Sequence, residues 1–143
     1  MKRATLIANI GIALLAAGTL VYAAVDSGPR STLMSVGDYK AAAQEIEGDA
    51  RVSMVVCKRL SGYEKAVCAA EIAAEKKVRM AELSSRYLGT VDAQQAARVT
   101  RIEAQFEVDR ERCEAFTQDG KHHCLMIATE TRSALMNEIK PAA

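Results

Sequence analysis

From residue 39 onward the apolar and small positions fall on a helical repeat. Tyr39, Ala43, Ile46, Ala50, Ser53, Cys57 and Leu60 follow one another in alternating steps of four and three. That spacing lines one side of a helix and forms a heptad-like seam. Ser35 and Asp38 make a capping pair ahead of the run, and Ser61-Gly62 reads as its stop, glycine being the usual left-handed cap. A second helix is expected from about Glu64 to Leu88, with Ala69, Ile72, Ala73, Met80, Leu83 and Tyr87 on one face. Gly89 breaks it, and Thr90 is a good N-cap for a third. There the seam returns as Val99, Ile102, Phe106, Asp109, Cys113 and Phe116. Asp119-Gly120 is the expected turn. A fourth helix then carries Cys124, Ala128, Thr131, Leu135 and Ile139, with Pro141 just beyond it.

The return of the seam is a duplication. "CKRLSGYEKAVC" (57–68) and "CEAFTQDGKHHC" (113–124) both hold two cysteines with ten residues between, at an offset of 56. The same offset relates Ile46 to Ile102, Glu47 to Glu103, Val52 to Val108, Lys65 to Lys121, Met80 to Met136 and Glu82 to Glu138. Residues 39–87 and 95–143 are two copies of one helical hairpin, too few for an extended array. The fold class expected is all-α: two disulfide-closed antiparallel hairpins, set as an up-down four-helix bundle or as an elongated coiled-coil-like rod. Hairpin 1 takes residues 35–88 and hairpin 2 residues 89–143. The bundle is the arrangement that covers Val99, Ile102, Phe106 and Phe116.

The two histidines of the chain, His122 and His123, stand beside Cys124 and raise the question of a metal site. The first copy has Ala66-Val67 where the second has the histidines, yet keeps both cysteines. The common feature is therefore the cysteine pair. Cys57 and Cys68 sit symmetrically about one turn, Cys113 and Cys124 about the other. Residues equidistant from the turn of an antiparallel hairpin face each other, and a disulfide needs Cα atoms roughly 4.4–6.8 Å apart. Adjacent helical residues point about 100° apart, so both imidazoles do not join one site easily. Disulfides Cys57–Cys68 and Cys113–Cys124 are expected, with no metal and no cofactor. The crossed pairing Cys57–Cys124 with Cys68–Cys113 stays open, because all four lie at one end of an up-down bundle.

Composition sharpens this picture. Half the residues are hydrophobic, but only six are aromatic and there is no tryptophan. Much of the apolar content is alanine, a strong helix former that buries little area, so a thin core is expected and crosslinks become useful. "MKRATLIANIGIALLAAGTLVYAAVDS" has a basic start, an apolar run and small residues before Ala24, the pattern of a signal peptide over residues 1–23. Residues 24–34 then read as a flexible linker. The alternative is an anchor in the inner membrane through residues 4–24, the chain's single route to a membrane. Removing residues 1–23 takes Lys2 and Arg3 and no acid, leaving 17 basic against 18 acidic residues. A net charge of −1 gives no footprint for nucleic acid. Four cysteines in the exported part imply an oxidising compartment, periplasmic or secreted.

"CKRLSGYEKAVCAAEIAAEKKVRMAELSSRY" (57–87), preceded by "YKAAAQEIEGD" (39–49), resembles a family of Ala/Lys/Glu-rich exported proteobacterial proteins of unassigned activity, some labelled cell-envelope or TolA-like. They carry two copies of a Cys–Leu-Ser-Gly–Lys–Val-Cys hairpin. The matching positions include Tyr39, Cys57, Leu60, Ser61, Gly62, Lys65, Val67, Cys68, Glu82, Leu83 and Tyr87. The second copy departs from the pattern, with Phe116-Thr117-Gln118 in place of Leu-Ser-Gly. The resemblance implies export and helical hairpins, and no activity.

No catalytic pattern emerges. Glu75 and Glu82 precede Arg79 and Arg86 by four residues, the spacing of surface ion pairs. Asp109, an acid in a seam, is expected to be hydrogen-bonded near Thr131. The methionines are dispersed. The expected function is non-enzymatic: a structural or protein-binding role at the cell envelope, alternatively an inhibitor or chaperone-like module for another exported protein, and as a third class a Cys/His metal carrier. The partner would be an envelope protein or a second copy. Leu60 and Phe116, each three residues past a cysteine and beside a turn, are read as core end-plugs or as partner contacts.

Overall fold

The computed structural model describes residues 34–139. The expected signal peptide, and the linker apart from Met34, fall outside them. Four helices run in order, α1 (Val36–Cys57), α2 (Gly62–Leu88), α3 (Val91–Cys113) and α4 (Gln118–Ile139). The caps lie where the sequence placed them. Ser35 Oγ accepts from the Asp38 amide at 3.1 Å and donates to the Asp38 carboxylate at 2.7 Å. Thr90 Oγ1 accepts from the Ala93 amide at 3.2 Å. Each satisfies an amide that the first helical turn leaves without a backbone partner.

Two turns differ from the reading. α1 ends at Cys57, and the turn over 58–61 is closed by Arg59 N–H to Val56 O and Leu60 N–H to Cys57 O. Gly62, at φ +52°, opens α2 rather than capping α1. In the second copy the turn is Glu114–Thr117, so Asp119 and Gly120 lie in the first turn of α4. Four-residue turns let both hairpins close tightly enough for their crosslinks. Between the hairpins, Gly89 takes the left-handed conformation at φ +63°, its N–H bonding to Ser85 O at 2.9 Å. An L side chain there meets the Cβ–carbonyl clash that glycine avoids. Gly89→Ala is expected to cost about 1–2 kcal/mol in a denaturant melt.

The all-α class and the antiparallel hairpins are as expected. The up-down order is kept, but the fourth helix does not return to the first. α1 packs on α2, α2 on α3 and α3 on α4, and among the described residues no other pair of helices meets. The middle helices use opposite sides for their two neighbours. α2 turns Ile72, Lys76 and Arg79 toward α1, and Ala74, Val78 and Ser85 toward α3. α3 turns Ala97, Ala104 and Val108 toward α2, and Ile102, Phe106 and Asp109 toward α4. The result is an open layer one helix thick.

A layer has no central core, and burial is sparse. Ile46, Cys57, Leu83, Ala97, Ala104, Val108, Cys113 and Ala128 are buried; Leu83, Cys57 and Cys113 are the largest fully buried side chains. Aromatic and ionic contacts extend the seams. Tyr39 packs on Tyr87 with ring centroids 4.7 Å apart and the rings tilted by 39°, and it shares a 3.3 Å hydrogen bond with Ser84. Lys76–Glu47 and Arg79–Asp49, both at 2.8 Å, join α1 to α2. Glu71–Arg112 at 2.8 Å and Glu82–Arg101 join α2 to α3. Glu103–Arg132 joins α3 to α4, and Glu114 in the turn between them pairs with Lys121 of α4. These pairs are partly exposed, so each contributes little stability, but together they favour one antiparallel register. Glu75 and Arg79 lie 4.0 Å apart, as their spacing suggested. Glu82 instead reaches across to Arg101.

Candidate functional site

The cysteines form the local pairs. Cys57–Cys68 and Cys113–Cys124 are both bonded, with Cα atoms 5.6 Å apart in each, and no free cysteine remains. Cys57 and Cys113 are buried, whereas Cys68 and Cys124 are half-buried. Each bridge pins the start of one helix to the end of its neighbour, beside a turn. Both turns lie at one edge of the layer, where Tyr63 of α2 donates to the Arg112 carbonyl of α3 at 3.0 Å. Two disulfides indicate an oxidising, non-cytoplasmic location for this part of the chain.

Leu60 and Phe116 stand beside these turns, 36% and 56% exposed. Neither is a core end-plug, because among the described residues no helix lies over the ends of the layer. Phe116 abuts the chain at Gly120, where an added Cβ would sit 3.3 Å from the Phe116 Cβ. His122 and His123 are exposed in the first turns of α4. Among the described residues no group of three or more His, Cys, Asp or Glu is placed to hold a metal. Asp109 lines a small recess with Thr131, but its hydrogen bonds come from its own helix: Gln105 Nε2 at 2.9 Å and Arg112 Nη1 at 3.4 Å.

The most strongly tied ion pair joins the two helices of hairpin 2. Arg132 donates from Nε and Nη2 to both oxygens of Glu103, with 2.8 Å for the first, and its guanidinium lies 5.4 Å from the Phe106 ring centre. The hydrogen bonds from Arg132 hold the Glu103 carboxyl below its ordinary range. A carboxyl whose folded pKa is depressed stabilises above its unfolded pKa, about 4.3 for glutamate, and loses that contribution as pH falls through the folded value. Glu103→Gln is therefore expected to lower the melting temperature near pH 7 and to narrow the gap from wild type below about pH 4. Melts across that range check it. A constant gap would show that the pair does not titrate with folding.

The remaining candidate surface is the pair of edge helices, which sequence reasoning had not singled out. On α1, Val52, Val55 and Val56 are 71%, 51% and 60% exposed; on α4, Met126 and Ile127 are 43% and 49% exposed. The duplication could have revealed this. Val52 and Val108 are the same residue at the same repeat position, yet Val108 is buried against α2 and Val52 is bare. The difference is position in the layer, since α3 has a neighbour on each side and α1 on one. Between α2 and α3 run shallow grooves crossed by the Glu71–Arg112 and Glu82–Arg101 pairs, the larger about 380 Å³. Among the described residues no helix is long and apolar enough to cross a membrane. Comparison with protein-family models, with curated proteins and with solved structures returned no match.

Proposed function

We propose that this is a non-enzymatic, exported protein of the cell envelope whose role is to bind another protein through its helix faces. In this reading residues 1–23 are a signal peptide cleaved before Ala24, and the rest acts in the periplasm as a stapled scaffold. One observation carries the reading: a disulfide-braced layer of helices that leaves apolar side chains bare on both edge helices. Exposed apolar groups on a pre-ordered helix favour binding, because little conformational freedom remains to be lost on contact. The sequence resemblance to exported envelope proteins supports the same compartment, and membership of that family is part of the proposal.

Photo-crosslinking side chains placed at Val55 and at Leu60 in the intact cell test it, with Lys77 as a control on a broad face. The expected result is a discrete adduct from Val55 or Leu60 and none from Lys77, in the periplasmic fraction. Adducts absent from all three positions would remove the binding role. N-terminal sequencing that finds intact Met1 in the membrane fraction would make the protein an anchored one.

A further inference from the structure

The duplication makes α1 the counterpart of α3, and the structure shows what α3 does with the face that α1 leaves bare. α3 presses Ala97, Ala104 and Val108 toward α2, at 8%, 2% and 4% exposure. Their counterparts 56 residues earlier are Ala41, Gly48 and Val52, on the side of α1 turned away from α2. Gly48 sits in the middle of a helix, where glycine is a poor choice. A Cβ built there meets nothing within 4 Å, so no contact among the described residues requires its small size. A face that takes a helix at close range in one copy of the repeat is present, uncovered, in the other.

The helix that fits it is α4, the counterpart of α2. We propose that α1 is the docking site for α4 of a second copy of this chain, the two packing as α2 packs on α3 within one copy. The continuation is complementary at the end of the contact nearest the turns. Glu71 meets Arg112 within the chain; between copies the equivalent residues are Ile127 and Val56, both apolar and both exposed. Ala70 and Ala74 share a groove with Glu107 and Glu111. The equivalents are Met126 and Glu130 on one copy, Arg51 and Val55 on the other. This brings methionine to valine and a carboxylate to a guanidinium. Two positions oppose the match: Glu138 would stand opposite Glu45, at the exposed margin where Glu82 pairs with Arg101, and Asp119, the counterpart of Tyr63, has no hydroxyl to donate to the Val56 carbonyl. Val52, Val55, Val56, Met126 and Ile127, unexplained in a single copy, all fall in this one contact.

Such a contact is head-to-tail. It uses different faces on the two partners, so an assembly of any length still carries one free α1 and one free α4, and growth continues until a ring closes. One helix pair buries less than a standard interface, so the association is weak. The inference narrows the binding reading to self-recognition and rests on that reading. A purified protein that stays monomeric but still crosslinks to other envelope proteins would sink this inference and leave the wider reading standing.

Sedimentation of the oxidised protein up to ~1 mM is the test, with two exposed-surface variants. The wild type is expected to gain mass with concentration, past the dimer. Val56→Glu spoils the α1 side and Ile127→Glu the α4 side; each alone is expected to weaken association at least about tenfold, by placing an unpaired charge in an apolar contact. Circular dichroism confirms that both variants keep their helices. Mixed together, the variants retain one sound α1 and one sound α4 between them and should form a dimer that grows no further. A wild type that is monomeric at every concentration overturns the proposal. So does an Ile127→Glu protein that still associates as well as wild type, which would point to α1 meeting α1, and so does a mixture that stays monomeric.

Discussion

Reduction of both disulfides is expected to remove most of the stability of the described domain. Each bridge joins residues 11 apart in sequence, and the loop-closure account gives about 3 kcal/mol for a loop of this size. Two such terms are comparable to the whole stability of a modest domain, about 5–15 kcal/mol. The effect should be large here because little else is buried. The covered side chains are mainly alanines and cysteines, with Ile46, Leu83 and Val108 the only larger ones among the described residues. The expected observation is a melting temperature lower by more than about 10 °C for each bridge lost, whether by reductant or by replacing Cys57 and Cys68 together with alanine. A reduced protein that melts with the oxidised one would mean that the hairpins hold without their staples.

The second large effect concerns where the core is. Leu83 is fully buried, near the end of α2 away from both disulfides. Leu83→Ala should cost about 2–5 kcal/mol, the transfer term plus a cavity that rigid helices fill poorly. Leu60→Ala and Phe116→Ala should each cost less than about 1 kcal/mol, as exposed positions do. A closed bundle makes the opposite forecast, since there Leu60 and Phe116 would plug one end. Chemical denaturation of the three variants separates the two cases. Equal losses at all three positions would place a core where the layer has none.

Much of this was legible in the sequence because it is local. Ser35 with Asp38 and Thr90 fix where helices begin through bonds spanning three residues. The offset of 56 exposed the duplication, and with it the pairing of Cys57 to Cys68 and Cys113 to Cys124. The seam on α1 also held, with Ile46 and Cys57 buried along it.

What failed depended on more distant contacts. A heptad seam says which side of a helix meets one neighbour. It does not say whether a second neighbour covers the other side. α3 carries two such sides, Ile102–Phe106 and Ala97–Ala104–Val108, and the second is built of small residues that a search for large apolar positions passes over. Sequence alone therefore does not single out the layer, and leaves Leu60 and Phe116 open as core end-plugs or as partner contacts. Glu82 shows the same limit in electrostatics: spacing offered Arg86, while packing brought Arg101. At Ser61-Gly62 the error was one of side, since a left-handed glycine also suits the entry to a helix when a tight hairpin must turn first.

The open order α1–α2–α3–α4 is the claim on which the exposed edges, the stability forecasts and the self-docking all stand. It is tested most directly by the distance between the first and last helices. Spin labels on unnatural side chains at Gln44 of α1 and Glu130 of α4, both exposed, leave the native cysteines untouched. Dilution with unlabelled protein removes distances between copies. With helix axes about 8–10 Å apart, three spacings separate the labelled helices in the layer, and the account predicts a distance of about 24 Å or more. A distance under about 20 Å, as for neighbouring helices, would mean that α4 closes back on α1 and would contradict the open layer.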